Sequence, residues 1–169
     1  MSKCYSKLNG GMFRMSAEKL TQAEAQQLLD MLKRSLIEEI SFPSRGRTEE
    51  FDVVGDSKTD IFSINIYRAK IQPFKYSIGA RIKKNGLMLL ELHINPTNVH
   101  QNPVDEKIAG SGEKIAGSHW HIYTEGYGRQ FAFPAEDIES DQFVNNTIMF
   151  LEKFNVIEQP NILFQLEVL

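Results

Sequence analysis

Apolar positions recur with a helical period at two places in this chain. Ala25, Leu28, Leu29, Leu32 and Leu36 follow "TQAE" at Thr21–Glu24, where a hydroxyl and a carboxylate three residues apart can satisfy free N–H groups at a helix start. A first helix is expected from there to near Ile40, stopped by Pro43 and Gly46. Val144, Thr147, Ile148, Leu151 and Phe154 predict a second helix, with Asp141 as its cap.

From Glu50 to Pro134 the period shortens. "EEFDVVG", "DIFSINIYRAKI", "KYSIGARIKK", "LMLLELHIN", "HWHIYTE" and "RQFAFP" alternate or are rich in branched and aromatic residues, the pattern of strands. Turn signals fall at Gly55-Asp56, Gln72-Pro73 and Asn85-Gly86. The last predicts a type I′ hairpin with positive φ at both residues. The fold class expected is α+β, an antiparallel sheet of about five strands flanked on one face by an N-terminal and a C-terminal helix. Residues 1–165 read as one domain with a flexible arm at 1–15. "LEVL" at Leu166–Leu169 matches the start of a protease-cleavage sequence used in expression tags and is given no functional weight.

Composition narrows the classes. At 169 residues and 41% hydrophobic content the chain can bury one sizeable core. A formal charge of -3 argues against a broadly basic nucleic-acid surface, so any RNA contact would be focused. Cys4 is the only cysteine, which leaves neither a disulfide framework nor a thiolate zinc site. No apolar run approaches membrane-spanning length, and a cytoplasmic protein without membrane contact is expected.

Glu106–Glu125, "EKIAGSGEKIAGSHWHIYTE", writes EKIAGS twice before a His-Trp-His triplet. Pro96, Pro103, Gly110, Gly112 and Gly117 mark the segment as loop. Lengthening such a loop twofold costs only about 0.6 kcal/mol in closure entropy, so a tolerated duplication on the surface is expected there.

The four histidines, His93, His100, His119 and His121, lie close together in sequence. On strands, His119, His121 and Tyr123 share one face, and Leu89, Glu91, His93 and Asn95 share another. Glu91, His93, His119 and His121 converge if those two strands pair. Glu125 follows in phase, and the glycine-flanked "GYGR" turn would return Arg129 to the same end. Two imidazoles that exchange protons, a carboxylate to orient one and an arginine for phosphate oxygens suit phosphodiester cleavage. His119 and His121 are the expected acid and base and Glu125 the orienter. Arg129 with Tyr123 or Tyr127 would make the phosphate and base contacts. This kit needs no cofactor and no metal. The alternative chemistry is a metal site, since H-x-H-x3-E at His119, His121 and Glu125 resembles the first metal-binding motif of cupins. Cupins add a later histidine; here His93 or His100 would have to serve from the earlier side of the sequence.

"NPTNVHQNPVDEKIAG", "SHWHIYTEGYG" and "FAFP" together resemble the signature of an uncharacterised bacterial and mobile-element domain family, close to H-x-N-P-D-G, then H-x-H-I-Y-x-E-G-Y-G, then aromatic-Pro. The matching positions are His100, Asn102, Pro103, His119, His121, Tyr123, Glu125, Gly126 and Tyr127; Val104-Asp105 departs from the family's Asp-Gly. The resemblance adds His100 and Asn102 to the substrate-binding candidates. The H-x-H segment is also similar, more weakly, to TumE-type toxins of toxin–antitoxin pairs. Two functions are therefore expected as alternatives. One is a small nuclease-like protein of the toxin or mobile-element class acting on RNA, a nucleotide or another phosphodiester. The other is a non-catalytic binding protein, such as a phage or mobile-element inhibitor of a defence system. It would meet a protein partner, an antitoxin or a defence component, through its His/Tyr/Trp face.

Overall fold

The computed structural model describes residues 19–166, so the arm at 1–15 and the last three residues lie outside the described part. The elements in chain order are α1 (Gln22–Asp30), β1 (Lys33–Ser35), β2 (Glu39–Ser41), β3 (Thr48–Val54), β4 (Ile61–Arg68), β5 (Tyr76–Ile82), β6 (Met88–Ile94), β7 (His100–Gln101), β8 (Lys114–Ile115), β9 (His119–Ile122), β10 (Ala132–Pro134), α2 (Phe143–Lys153), β11 (Val156–Glu158) and β12 (Asn161–Leu163). The fold is α+β. Its sheet has eight strands, where about five were expected, in the order β10-β9-β6-β5-β4-β3-β1-β11. All neighbours are antiparallel except β1 and β11, which run parallel. Six of the eight correspond to the six β-rich runs of the sequence; the other two are β1 and β11, three residues each, too short to show a period.

The two faces of the sheet differ. Phe51, Val53, Phe62, Ile64, Ile66, Ile78, Leu90, Leu92 and Trp120 form one apolar layer with Ala25 and Leu29 of α1 and Phe143, Phe150 and Leu151 of α2. The helices thus cover one face only. The other carries Tyr67, Ser77, His93 and His119 in one row and Asn65, Gly79, Glu91 and His121 in the next, each residue opposite its neighbour across the strands.

Three local readings are corrected by the structure. The capping box at Thr21 and Glu24 forms, but α1 ends at Asp30 with Met31 in an extended conformation. Leu32 and Leu36, placed on the helical stripe by spacing, are 55% and 57% exposed. Strand pairing overrides the helical period here, because β1 is claimed by β3 on one side and β11 on the other. The exit is fixed by Lys33, fully buried, whose ammonium donates to the carbonyls of Leu29, Met31 and Phe154 at 3.2, 2.7 and 2.9 Å. These carbonyls lie at the C-terminal ends of both helices, where unpaired acceptors and the helix dipole favour a cation.

The β5–β6 turn spans Lys83–Gly86, closed by Ile82 N–H donating to Leu87 O and Gly86 N–H donating to Ile82 O. Only Gly86 has positive φ, at 73°, so the type I′ turn is not formed. α2 starts after Gln142 without a side-chain cap, and Asp141 does not serve as one. Its buried face carries Phe143, Asn146, Thr147, Phe150 and Leu151, rotated from the expected stripe because the aromatic pair stacks into the core, Phe150 against Trp120. Among the described residues no helix is long and apolar enough to cross a membrane.

Candidate functional site

The site is built by the register of three adjacent strands. β6 and β9 pair so that Glu91 faces His121 and His93 faces His119. β10 covers the outer edge of β9, with Ala132 opposite His121 and Pro134 opposite His119. The β7–β8 hairpin then brings His100 over the same end of the sheet face. The imidazole centroids of His93, His119 and His121 lie 4.7 to 5.2 Å apart. That of His100 lies 4.8 Å from His121 and 5.5 Å from His119. One ring nitrogen from each of His93, His119 and His121 falls within 4.8 Å of the others.

Hydrogen bonds settle where the protons are. His119 Nδ1 lies 2.8 Å from the carbonyl of Gly117, and His121 Nδ1 lies 2.8 Å from the carbonyl of Arg129. A carbonyl only accepts, so both Nδ1 atoms carry hydrogen and both Nε2 atoms are left with lone pairs. His100 Nε2 lies 3.0 Å from Gln130 O and from Asn102 Oδ1, which makes it a donor as well. His93 Nε2 is 3.1 Å from Glu91 Oε1. Burial pushes His121 down to about 4, reinforced by His93 and His119. Burial lowers His119 too, more than its bond to Gly117 raises it. Both are neutral imidazoles at pH 7.

Glu91 is 6% exposed. Its burial acts to raise the carboxyl, but the hydrogen bond and charge of His93, with Arg129 and His121 nearby, together hold it below the ordinary carboxylate value. Arg129 Nη1 stands 3.0 Å from Glu91 Oε2. The contact is an ion pair without hydrogen-bond alignment, since Oε2 has no hydrogen-bond partner. Glu91 therefore orients His93 directly and tethers Arg129 by charge.

The "GYGR" segment makes a tight turn, with Thr124 bridged to Gly128 and positive φ at Gly126 and Gly128. It returns Arg129 to the cleft, where its carbonyl holds His121 and its guanidinium reaches Glu91. The repeat is divided in role. The first copy forms turns on the surface, whereas the second supplies β8, with Ile115 only 3% exposed, and the Gly117 carbonyl under His119. The expectation of a wholly exposed duplication therefore holds for one copy only.

The remaining candidates sit elsewhere. Glu125 does not reach the histidines; its Oε2 accepts from the backbone N–H of Gln22 at 2.8 Å, at the start of α1. β9 ends at Ile122, and the register of β5 and β6 jumps between Ala80 and Arg81, turning Leu89 into the core. The alternation that put Leu89 with Glu91 fails at that irregularity, and the alternation that put Tyr123 and Glu125 with His121 fails because β9 has ended. Tyr123 is buried, with its hydroxyl donating to Leu20 O at 2.8 Å. Tyr127 donates to Asp105 Oδ2 at 2.8 Å. Asn102 is buried and positions rather than binds: its amide donates to Gly110 O and Ala132 O, and its Oδ1 meets His100 and Ala132 N–H. Trp120 lies in the core and offers no interaction surface.

The histidines open into a cleft of about 500 Å³, lined also by Lys75, Thr97, Val99, Arg129 and Gln130. Lys75 was not singled out by sequence; it is held there by donating to Thr97 Oγ1 at 2.8 Å. Backbone carbonyls such as those of Gly117 and Gln130 carry no sequence signal. The set can do two things chemically. Neutral imidazoles with their distal N–H groups fixed by carbonyls or a carboxylate are the usual arrangement of histidine metal ligands. The two cations at the mouth suit an anionic oxygen group.

The chain matches a family of unknown function over residues 20–156. No curated protein and no solved structure matches the chain.

Proposed function

The chain belongs to this family, DUF6978, and we propose that it is a hydrolase of phosphate esters that works through a divalent metal held by His93, His119 and His121. One observation carries the reading. Ring nitrogens of three histidines lie within 4.8 Å of one another, and the Nδ1 atoms of His119 and His121 are bonded to backbone carbonyls, which leaves their Nε2 atoms to serve as ligands. Zinc–nitrogen distances of about 2.1 Å require ligand atoms about 3.4 Å apart in a tetrahedral site, so modest ring rotations complete the centre. All-imidazole ligation favours zinc or a neighbouring late transition ion over magnesium or calcium.

The metal would supply Lewis acidity and an activated water. The chain supplies the rest. Arg129 and Lys75 hold the non-bridging phosphate oxygens. His100 lines the cleft and, with Nε2–H committed to Gln130, has Nδ1 as its proton acceptor. Water oxygen bonds to phosphorus, the ester P–O bond breaks, and the proton taken from water is returned to the leaving oxygen. This reading is preferred to metal-free acid–base catalysis by His119 and His121, because with Nδ1 committed to a carbonyl and Nε2 bare neither ring has a proton to give as the acid.

The test is zinc titration of the chelator-treated chain, paired with hydrolysis of bis(p-nitrophenyl) phosphate. One equivalent of tightly bound zinc and zinc-dependent turnover are expected, both lost in His119→Ala with His121→Ala. Hydrolysis that survives chelation unchanged would sink the metal reading and restore the acid–base one.

A further inference from the structure

We propose that the phosphate ester bound here is a nucleotide, with its phosphate at the histidines and its base in a second hollow between Tyr67 and Pro96. The inference rests on the reading of the histidine cleft as a phosphate site and adds the class of substrate.

The second hollow, about 120 Å³, is lined by Tyr67, Lys75, Ser77, His93, Ile94 and Pro96. It shares Lys75, His93 and Pro96 with the cleft, so one molecule can occupy both. Register fixes the spacing. Tyr67 lies opposite Ser77, and Ser77 opposite His93, on the open face of the sheet. Strands stand about 4.8 Å apart, so Tyr67 is about 10 Å from His93. That separation suits a phosphate at one end and a ring at the other, joined by a sugar passing over Ser77. Lys75 stands where the two hollows meet, its ammonium held by Thr97.

Size and lining select the group. A cavity of about 150 Å³ encloses one benzene ring, so this open hollow of about 120 Å³ seats part of one planar ring system, the rest standing out of it, and is too small for a lipid chain or a folded peptide. Its wall is mostly apolar, and Tyr67, 43% exposed, gives an aromatic surface at its edge. Stacking on such a ring tolerates any base, since every base has a π-face. Discrimination among bases is accordingly expected to be small. Ser77 contributes a hydroxyl beneath the sugar.

The experiment compares three probes on the zinc-loaded full chain by calorimetry: inorganic phosphate, ribose 5-phosphate and AMP. AMP should bind at least about tenfold tighter than ribose 5-phosphate, the effect of one stacked base. Tyr67→Ala should abolish that difference while leaving inorganic phosphate unchanged, and Tyr67→Phe should keep it. Equal affinities for AMP and ribose 5-phosphate in the unaltered chain would overturn the proposal. So would a Tyr67→Ala change that weakens all three probes alike, or no binding of any of them to a chain that has taken up zinc. Failure to take up zinc is a different result, against the metal centre alone. The comparison of AMP with ribose 5-phosphate is then made on the metal-free chain, where the same preference and its loss in Tyr67→Ala are expected and their absence counts against the nucleotide.

Discussion

His119 donates through Nδ1 to the carbonyl of Gly117, 2.8 Å away, and this bond ties the repeated segment to the histidine site. Gly117 sits at φ 80°, in the left-handed region where a side chain is strained, and its carbonyl sets the tautomer of His119. The second EKIAGS copy is thus part of the site's frame. Removing Glu106–Gly112 or Gly112–Ser118 yields the same sequence, so a single deletion asks whether the surviving copy can take the inner place.

That deletion should fold and still bind zinc. The survivor brings the same Ile and Gly to β8 and to His119, but the connection after Asn102 shortens. The bonds from Gly112 N–H to Pro103 O and from Asp105 N–H to Ser111 Oγ have to be remade or lost. A loss of about 1 to 2 kcal/mol is expected, from one or two hydrogen bonds at about 1 kcal/mol each, read by urea unfolding. Zinc affinity reduced more than about a hundredfold would show that the first copy cannot substitute for the second.

Glu91→Gln tests how the site is held together. Glutamine keeps the shape and can still accept from His93, but it loses the charge that tethers Arg129. Groups that orient a metal-binding histidine typically change metal affinity by about 10- to 100-fold, and a fall in that range is expected with the fold intact. Glu125→Gln should leave zinc binding and hydrolysis unchanged, since its carboxylate serves Gln22 at the start of α1; its effect should be a loss of up to about 1 kcal/mol of stability. A larger activity loss in Glu125→Gln than in Glu91→Gln would reverse the two roles.

How much of this was legible in the sequence depends on whether the signal was periodic. The six long runs became β3, β4, β5, β6, β9 and β10 because alternation over several residues reports a two-faced strand directly. The convergence of Glu91 and His93 with His119 and His121 was readable as a condition, that β6 pairs β9, and the structure meets it in register. Arg129 was readable from the glycines that turn the chain. Glu125 was placed by extending the alternation past Ile122, where the strand had ended. Lys75 and the carbonyls of Gly117, Arg129 and Gln130 were not readable, since their roles depend on which loop folds over which strand. The expected end of α1 failed for a related reason: a leucine spacing cannot show that a later strand, β11, will claim Lys33 and Arg34.

That boundary gives a direct contrast in stability. Leu29 is 8% exposed and in the core, whereas Leu32 is 55% exposed. Leu29→Ala should cost about 2 to 5 kcal/mol as a core truncation, and Leu32→Ala about 0.5 kcal/mol or less. Equal losses at both positions would restore the longer helix.

Lys33 makes a pH prediction whose sign can be worked out. Burial pushes its ammonium down to about 8 from an ordinary 10.5, against the opposing pull of Asp30 and Asp56. Below pH 8 the side chain is protonated in both the folded and the unfolded chain, and its desolvated charge is a constant cost. Between about 8 and 10.5 the unfolded chain holds more of this proton than the folded one, so stability should rise with pH through that window. Tyr76, pushed up to about 12 chiefly by burial, acts oppositely above pH 10, because its unfolded phenol ionises first. Comparison with Lys33→Met separates the two. At pH 7 the variant should be less stable, because the carbonyls of Leu29, Met31 and Phe154 lose their shared donor and the contact of the ammonium with the Phe154 ring at 4.0 Å disappears. From pH 8 to 10 the advantage of the unaltered chain should widen, measured as urea midpoints at unit pH steps. An advantage that shrinks over that range would mean the three carbonyls stabilise the ammonium by more than burial costs it, and that the Lys33 proton is held more tightly in the fold than in water.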